Sequence, residues 1–334
     1  MATTVDTAFE EFLRTKVNLD PDDTGGARRS RDWLLELIAK FPDTYGDFPL
    51  LYSERDIAYG SFARRTKIRE LDDVDLISCL HATGGTYVDQ GFGGPIQITV
   101  PASSRLSDFC HDNSASLNSI KVVNRFVKAL AAVPQYSSAA INRRGEAAVL
   151  ELTSYPWSFD VVPGFFTAPD AHDRTYYLIP DGSGHWKRTD PRRDRDRIAK
   201  VNQDHDGHVL SIVRLMKYWN RRPTMPSAPS YMFECMITDY YEGRVTKAVK
   251  WVDIETGQVL RYIAEAVLGV VNDPKGLQGD LNSLTFEQRW AIRERALLDA
   301  GRADEARAHE TRKDHERSIN KWREVFGPEF PPFE

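Results

Sequence analysis

Two aspartates, Asp73 and Asp75, stand two residues apart where a strand-like segment begins. Side chains at positions i and i+2 of a strand point to the same face of a sheet, so the two carboxylates would project together. Like charges so placed repel each other unless a cation lies between them, and a hard divalent ion such as Mg²⁺ binds oxygen ligands well. The pair therefore indicates a magnesium site. A polar turn that leads into a strand would show the same short pattern.

A third acidic side chain, Asp160, lies in an apolar segment between Phe159 and Val161. Aspartate is rarely buried without a partner, so this position predicts a cation or several hydrogen-bond donors around the carboxylate. A structural salt bridge would satisfy it equally. If Asp160 and the earlier pair lie on adjacent strands, the arrangement suits a two-metal site for phosphoryl transfer.

The dipeptide Gly60-Ser61 precedes the aspartate pair and has the composition of a phosphate-holding turn. Glycine lets backbone N–H groups approach an anion, and the serine hydroxyl adds a further donor. On their own, two residues of this kind are a weak signal.

The elements that must position these residues follow from the apolar periodicity of the chain. Residues 74–80, 147–152 and 157–162 are typical of strands, and residues 117–133 have the apolar spacing of a helix. A helix framed by strands predicts a mixed α/β or α+β domain.

Both ends of the chain are predicted to be helical. Residues 1–45 show helical apolar spacing, interrupted by a turn-rich stretch at 20–26. Further helices are predicted at 209–219, 259–271 and 285–326, the last with Thr285 as its N-cap.

Composition narrows the class of protein. The chain has 334 residues, of which 41% are hydrophobic and 11% aromatic, and this indicates a globular protein with ample core. The net charge of -5 does not favour a protein that coats long nucleic acid. No apolar run approaches the roughly 20 residues needed to span a membrane, and no secretory signal is visible, so a cytoplasmic location is expected. The three cysteines, Cys79, Cys110 and Cys235, are widely spaced and predict buried thiols.

Taken in order, the motifs of this chain resemble those of a known family. Gly60-Ser61, Thr66, the aspartate pair and Asp160 look like the signature of the nucleotidyltransferase superfamily that includes polymerase β. Five further segments resemble the bacterial cGAS/DncV-like nucleotidyltransferases: residues 179–191, 209–220, 230–234, 271–281 and 322–331. The resemblance covers roughly residues 5–331.

The resemblance implies an α+β enzyme with a polymerase β-like nucleotidyltransferase core, a mixed sheet and a helical lobe, with the active site in the cleft between the lobes. The core would comprise residues 1–165, with the N-terminal helices, and the helical lobe residues 166–334. Such enzymes use Mg²⁺, for which Mn²⁺ can substitute, to join nucleoside triphosphates into cyclic di- or trinucleotides and release pyrophosphate. The products act as second messengers that switch on an effector protein in bacterial anti-phage (CBASS) signalling. A monomer is expected.

The resemblance also implies roles for individual residues. Asp73 and Asp75 would bind both ions of a two-metal site. Asp160 would be a further metal ligand and would help to position the attacking hydroxyl. Nucleotide contacts are implied for Gly60 and Ser61 at the triphosphate, Lys217 and Ser230 at its phosphates, Tyr231 by stacking or packing near a base, and Asn202 at a base edge. Without the resemblance, Lys217 would be read as a lysine that snorkels to solvent from an apolar helix. Trp186 and Trp219 are predicted to be core residues.

One position departs from the family pattern. Many relatives carry a second glycine before the threonine, and here Arg65 takes that position before Thr66.

The sequence leaves two alternative functions open. The enzyme could extend a linear oligonucleotide or a tRNA end, although tRNA usually calls for a basic surface. The chain could also be a catalytically inactive module that senses nucleotides.

Overall fold

The computed structural model describes residues 2–89 and 94–334, and these residues form two compact units. The first, here called the sheet unit, comprises Asp22–Ala63 and Leu71–Arg193. The second, the helical unit, comprises the chain up to Pro21, Arg64–Glu70 and Asp194–Glu334. The boundary predicted at 165/166 does not coincide with this division, because the sheet unit continues to Arg193 and the helical unit takes in two earlier segments.

A mixed sheet forms the centre of the sheet unit. Its strands are β1 (Ile57–Tyr59), β2 (Asp73–Cys79), β5 (Ala140–Arg144), β6 (Ala147–Glu151), β7 (Ser158–Phe166), β8 (Tyr177–Pro180) and β9 (Trp186–Thr189). The order is β1-β2-β7-β6-β5, with β8 paired to β7 and β9 to β8. β2 and β7 are parallel, and the other pairs are antiparallel. Strands β3 (Thr86–Val88) and β4 (Gln97–Thr99) form a separate antiparallel pair.

The helices of the sheet unit are α2 (Pro21–Ile38), α3 (Phe41–Thr44), α4 (Gly60–Ala63) and α5 (Ser119–Ala131). Asn118 caps α5 by accepting hydrogen bonds from the N–H groups of Ile120 and Lys121. The apolar stripe of α5, which includes Val122, Phe126 and Leu130, is fully buried. The predicted core residue Trp186 is buried as well, and its indole N–H donates to the Leu117 carbonyl at 3.1 Å.

The helical unit packs its helices around a large apolar core. They are α1 (Val5–Phe12), which continues as a π-helical turn at Leu13–Val17, the C-terminal part of α6 (Pro191–Asp204), α7 (Val209–Asn220), α8 (Ser230–Glu242), α9 (Val252–Ala266), α10 (Phe286–Thr311) and α11 (His315–Phe326). Trp219, also predicted to be a core residue, is buried and donates its indole N–H to Asp299 at 2.8 Å. Within residues 2–89 and 94–334, no helix combines the length and the apolar character that crossing a membrane requires.

The structure confirms most of the predicted elements and corrects three of them. The stretch at 20–26, predicted to be a turn, is helical from Pro21 onward, because proline suits the first helical position and Asp22 and Asp23 favour the positive end of the helix dipole. The helix predicted at 259–271 runs instead over Val252–Ala266. The long helix predicted at 285–326 is two helices, divided where Lys313 adopts a φ of 61°.

The predicted N-cap at Thr285 is confirmed and leads to a stability prediction. Its hydroxyl accepts the N–H of Gln288, and the Gln288 side chain accepts the N–H of Thr285 in return. We expect Thr285→Ala to lower the free energy of unfolding by about 1 kcal/mol, because backbone donors of α10 lose their partner. Urea denaturation followed by helical circular dichroism measures the change. Thr285→Ser, which keeps the hydroxyl, serves as the control, and equal midpoints for the two variants would contradict the prediction.

Candidate active site

The three predicted acidic residues lie on one face of the central sheet. Asp75 on β2 pairs directly with Asp160 on β7 in the parallel register, and residues paired in this way point to the same side. Asp73 lies two residues before Asp75 on the same strand and therefore shares that face. All three side chains are partly buried. The sheet thus brings together two acidic positions that are far apart in the sequence.

The opposite face of the same strands explains why the register is fixed. Val74 and Leu76 on β2 are completely buried, as are Phe159 and Val161 on β7. Alternation of apolar and acidic residues along both strands turns every acidic side chain away from the core.

Tyr59 lies beside the acidic face and is influenced by its charges. It pairs with Asp75 across the antiparallel β1–β2 ladder. Burial raises the pKa of its hydroxyl, and the negative charges of Asp75, Glu146, Asp160 and Asp73 raise this pKa further. A tyrosine directly before Gly60 was not singled out from the sequence, and nothing local in the sequence marks it.

Gly60 lies directly against the carboxylate of Asp75. Its φ is 70°, and a Cβ atom at this position would lie 1.8 Å from Oδ2 of Asp75. No other residue fits there without displacing the carboxylate, so glycine is required both by conformation and by close approach. Ser61 follows in the single helical turn Gly60–Ala63, which begins directly after β1. The predicted phosphate-holding turn therefore adjoins the acidic face.

The chemistry of this face fits a divalent cation, because carboxylate oxygens are the ligands that Mg²⁺ prefers. As the side chains stand, the described residues contain no group of three or more His, Cys, Asp or Glu gathered to hold one ion. The shared face of Asp73, Asp75 and Asp160 is thus observed, and the binding of an ion there stays a prediction.

In the helical unit, Lys217 is buried rather than exposed to solvent. Its side chain on α7 is 4% exposed, and its ammonium lies 3.7 Å from Oε2 of Glu234. Burial lowers the pKa of Lys217 to about 8, and the Glu234 charge partly opposes this shift. The reading of Lys217 as a lysine that snorkels to solvent is therefore wrong for this structure. Ser230 is the exposed first residue of α8, at the positive end of the helix dipole.

Two positively charged side chains lie near the aromatic ring of Tyr231. The Lys275 ammonium lies 4.3 Å from the ring centroid and the Arg64 guanidinium 5.1 Å. Its hydroxyl donates to Asp194 Oδ1 at 2.6 Å. The sequence left stacking and packing open for this residue, and these contacts favour packing within the helical unit.

Two polar residues of the α6–α7 corner have structural contacts. Asn202 accepts the N–H of Leu210 through Oδ1 at 3.0 Å, so its side chain caps the start of α7. Its predicted contact with a base edge stays a prediction. His205 is buried, and its two ring nitrogens lie within hydrogen-bond distance of the Tyr241 carbonyl and the Ala248 N–H.

Arg65 preserves the backbone conformation that a glycine would favour. Its φ is 63°, in the left-handed region, and Arg214 donates to its carbonyl oxygen at 2.8 Å. The next residue, Thr66, is buried and donates its hydroxyl to Glu234 at 2.7 Å. Sequence reasoning missed Glu234, although a lone acidic residue among the apolar side chains of an amphipathic helix is a signal for a buried partner.

Similarity to known proteins agrees with this geometry. No model of a known protein family matches the chain. A probable cyclic nucleotide synthase of Bacillus cereus (strain VD146) is 39% identical over 338 residues and covers 100% of both chains. A cyclic AMP-AMP-AMP synthase of Acinetobacter sp. (strain ATCC 27244 / 9458) is 27% identical over 207 residues, which are 59% of this chain and 56% of that protein.

Solved structures show the same fold at low sequence identity. Escherichia coli MS115-1 CdnC, solved with ATP, superposes with a TM-score of 0.69 at 17% identity and covers 98% of each chain. Vibrio cholerae DncV in its GTP-bound form gives a TM-score of 0.67 at 11% identity, over 99% of this chain and 97% of that one.

The structure defines an α+β fold class, as predicted, which these solved structures share. The full-length relative narrows this class further. The chain belongs to the family of bacterial cyclic nucleotide synthases, the cGAS/DncV-like nucleotidyltransferases that the motifs indicated.

The close approach of Gly60 to Asp75 leads to a mutational test. We expect Gly60→Ala to reduce nucleotidyltransferase activity by about 100-fold or more, because the new Cβ must displace the carboxylate of Asp75. Product formation from labelled nucleoside triphosphates measures the effect.

The matched control for this test is Gly145→Ala. Gly145 also has a positive φ, of 54°, but a Cβ there would meet nothing within 4 Å. Both variants carry backbone strain, and only Gly60→Ala has the clash. Equal activity losses in the two variants would show that strain alone accounts for the effect.

Proposed function

We propose that this chain condenses nucleoside triphosphates into a cyclic di- or trinucleotide and releases pyrophosphate. The observation that carries the proposal is the pairing of Asp75 with Asp160, with Asp73 on the same face and Gly60 against Asp75. The name of the full-length relative, a probable cyclic nucleotide synthase, supports the choice of product class. That of the second relative, a cyclic AMP-AMP-AMP synthase, supports a trinucleotide as one of the two ring sizes.

The acidic face is proposed to hold Mg²⁺, or Mn²⁺ in its place, through Asp73, Asp75 and Asp160. When bound, the metal would neutralise charge on the triphosphate and make the attacking hydroxyl more acidic. Asp160, held in register beside Asp75, would orient that 3′- or 2′-hydroxyl. The apolar side chains behind both strands keep these carboxylates in place without any contribution from the ligand.

The triphosphate is proposed to contact backbone and hydroxyl donors at Gly60 and Ser61. The left-handed conformation of Gly60 begins a helical turn directly after β1, and backbone N–H groups at the start of a helical turn are a common way to bind an anion. Further contacts to the triphosphate are proposed from two residues. Lys217 would supply N–H donors and positive charge, and Ser230 would supply its O–H donor at the positive end of the α8 dipole.

In the cell, the product is proposed to act as a second messenger that activates an effector protein in anti-phage (CBASS) signalling. The substrates are nucleoside triphosphates, and neither a membrane nor long nucleic acid takes part. The cytoplasmic location and the monomeric state stay predictions, as does the identity of the bases joined.

Mass spectrometry of the products from all four triphosphates tests the proposal. We expect a phosphatase-resistant cyclic product with Mg²⁺ and none from the double variant Asp73→Asn/Asp75→Asn, because the amide side chains keep the volume but remove both charges. Asp181→Asn is the control, since that carboxylate holds a turn between β8 and β9 through Ser183 and His185.

Each alternative function predicts a different result in the same experiment. A linear product that phosphatase degrades would favour oligomer synthesis, and a salt-sensitive gel shift with tRNA would favour tRNA as the acceptor. Tight triphosphate binding by calorimetry without turnover would favour a sensing module. An active double variant would contradict the assignment of the acidic face.

A further inference from the structure

Glu234 is a buried carboxylate that the proposed reaction does not yet use. It lies on α8, is 3% exposed, and is bound by the segment Arg64–Thr66. Arg64 donates to both carboxylate oxygens, Nε to Oε1 at 2.6 Å and Nη2 to Oε2 at 3.3 Å, and the Thr66 hydroxyl donates to Oε2 at 2.7 Å. Burial alone would raise the pKa of Glu234, but Arg64, Lys217 and Thr66 together hold it below its usual value. The carboxylate is therefore charged at neutral pH.

The same carboxylate holds Lys217 by charge and not by a hydrogen bond. The separation of 3.7 Å between Nζ and Oε2 exceeds hydrogen-bond distance, whereas both side chains are only 4% exposed. The ammonium thus gives no hydrogen bond to Glu234, and the attraction between the two charges holds it in position. A lysine fixed in this way suits an anion such as a phosphate, which accepts several N–H donors at once.

The segment held by Glu234 directly follows the Gly60–Ser61 turn in the chain. Arg65 lies between the two residues that donate to Glu234 and has a positive φ of 63°. A left-handed arginine is an unfavourable conformation, and it persists only where its neighbours are held firmly. Glu234 on one side and the Arg214 bond to the Arg65 carbonyl on the other provide that restraint.

We propose that Glu234 is a positioning residue for the triphosphate, which it serves by fixing the Arg64–Thr66 segment and by holding Lys217 as a charged ammonium. This inference rests on the proposed function, in which Lys217 contacts a phosphate. Glu234 itself touches no substrate, because its oxygens are already occupied by donors of the protein.

The role of Glu234 has a defined pH dependence. Burial, together with the positive charges of Arg64, Lys67 and Arg221, lowers the pKa of Lys217 to about 8 against the opposing effect of the Glu234 charge. Lys217 is charged below this pKa and loses its charge as the pH rises through it, so its contribution to phosphate binding is lost on the alkaline side. Without the Glu234 charge, the pKa of Lys217 falls further and the loss begins at lower pH.

The test is the pH profile of kcat/KM, which reports ionisations of the free enzyme. For Glu234→Gln, we expect the alkaline limb to move to lower pH by about one to two units, the effect of removing one nearby charge. At pH 8 this corresponds to a fall in kcat/KM of about five- to fifty-fold, mainly through KM. Glu234→Asp keeps the charge and should leave the limb near that of the wild type. A residue with a merely structural role would lower activity equally at every pH.

Glu255→Gln is the matched control. Glu255 is also a completely buried glutamate that accepts hydrogen bonds from an arginine, Arg244, and a hydroxyl, that of Tyr241. The two variants should lose similar thermal stability, and only Glu234→Gln should move the limb. If Glu234→Gln fails to fold, the pH profile of Lys217→Arg is measured instead. Arginine stays charged across this pH range, so the alkaline limb near pH 8 should disappear. A limb that stays in place in either variant would overturn the proposal.

Calorimetric titration of triphosphate binding across the same pH range separates this inference from the proposed function. If the wild type binds triphosphate and forms no product, and Glu234→Gln shifts the pH dependence of binding, then the proposed function fails and the role of Glu234 stands. If the wild type forms product and the variant shows an unshifted profile in both assays, the role of Glu234 is overturned and the proposed function stands.

Discussion

The candidate active site depends on one structural constraint, the parallel pairing of β2 with β7. This register places Asp75 beside Asp160, and a slip of one residue would turn one of the two carboxylates to the other side of the sheet. The register is enforced from behind, because Val74 and Leu76 must be buried together with the apolar residues of β7. The hydrophobic core therefore sets the geometry of the acidic face, and the like charges are brought together by burial of their neighbours.

Much of this fold can be predicted from sequence, because alternation and helical periodicity are local properties. The strands around Asp73 and Asp160 and the helices at α5 and α7 appear where the apolar pattern places them. The acidic residues were found for the same reason, since charged side chains in apolar strands are unusual. The turn prediction was wrong at Gly25 and Gly26, because both glycines lie in α2. A Cβ atom at Gly26 would lie 3.2 Å from the ring of Trp157, so the glycine there allows close packing.

The rest of the site is set by contacts between distant parts of the sequence. The donors that bind Glu234 lie 168 and 170 residues away, so no local pattern announces them. The same holds for the cations around Tyr231, which come from Arg64 and Lys275. The left-handed conformation of Arg65 is a further case, because the family pattern has a glycine there and the surrounding hydrogen bonds explain how an arginine can take its place.

The helical unit is assembled from three separate stretches of chain, and this has a consequence for biosynthesis. The ring of Phe9 on α1 packs 4.9 Å from the ring of Phe330, and Phe12 lies 5.0 Å from the same ring. During synthesis, α1 must therefore wait, with this apolar face uncovered, until Phe330 emerges from the ribosome. Such long-range closure slows folding and exposes the nascent chain to aggregation. No single cleavage of the polypeptide can separate the two units, because the chain passes between them more than once.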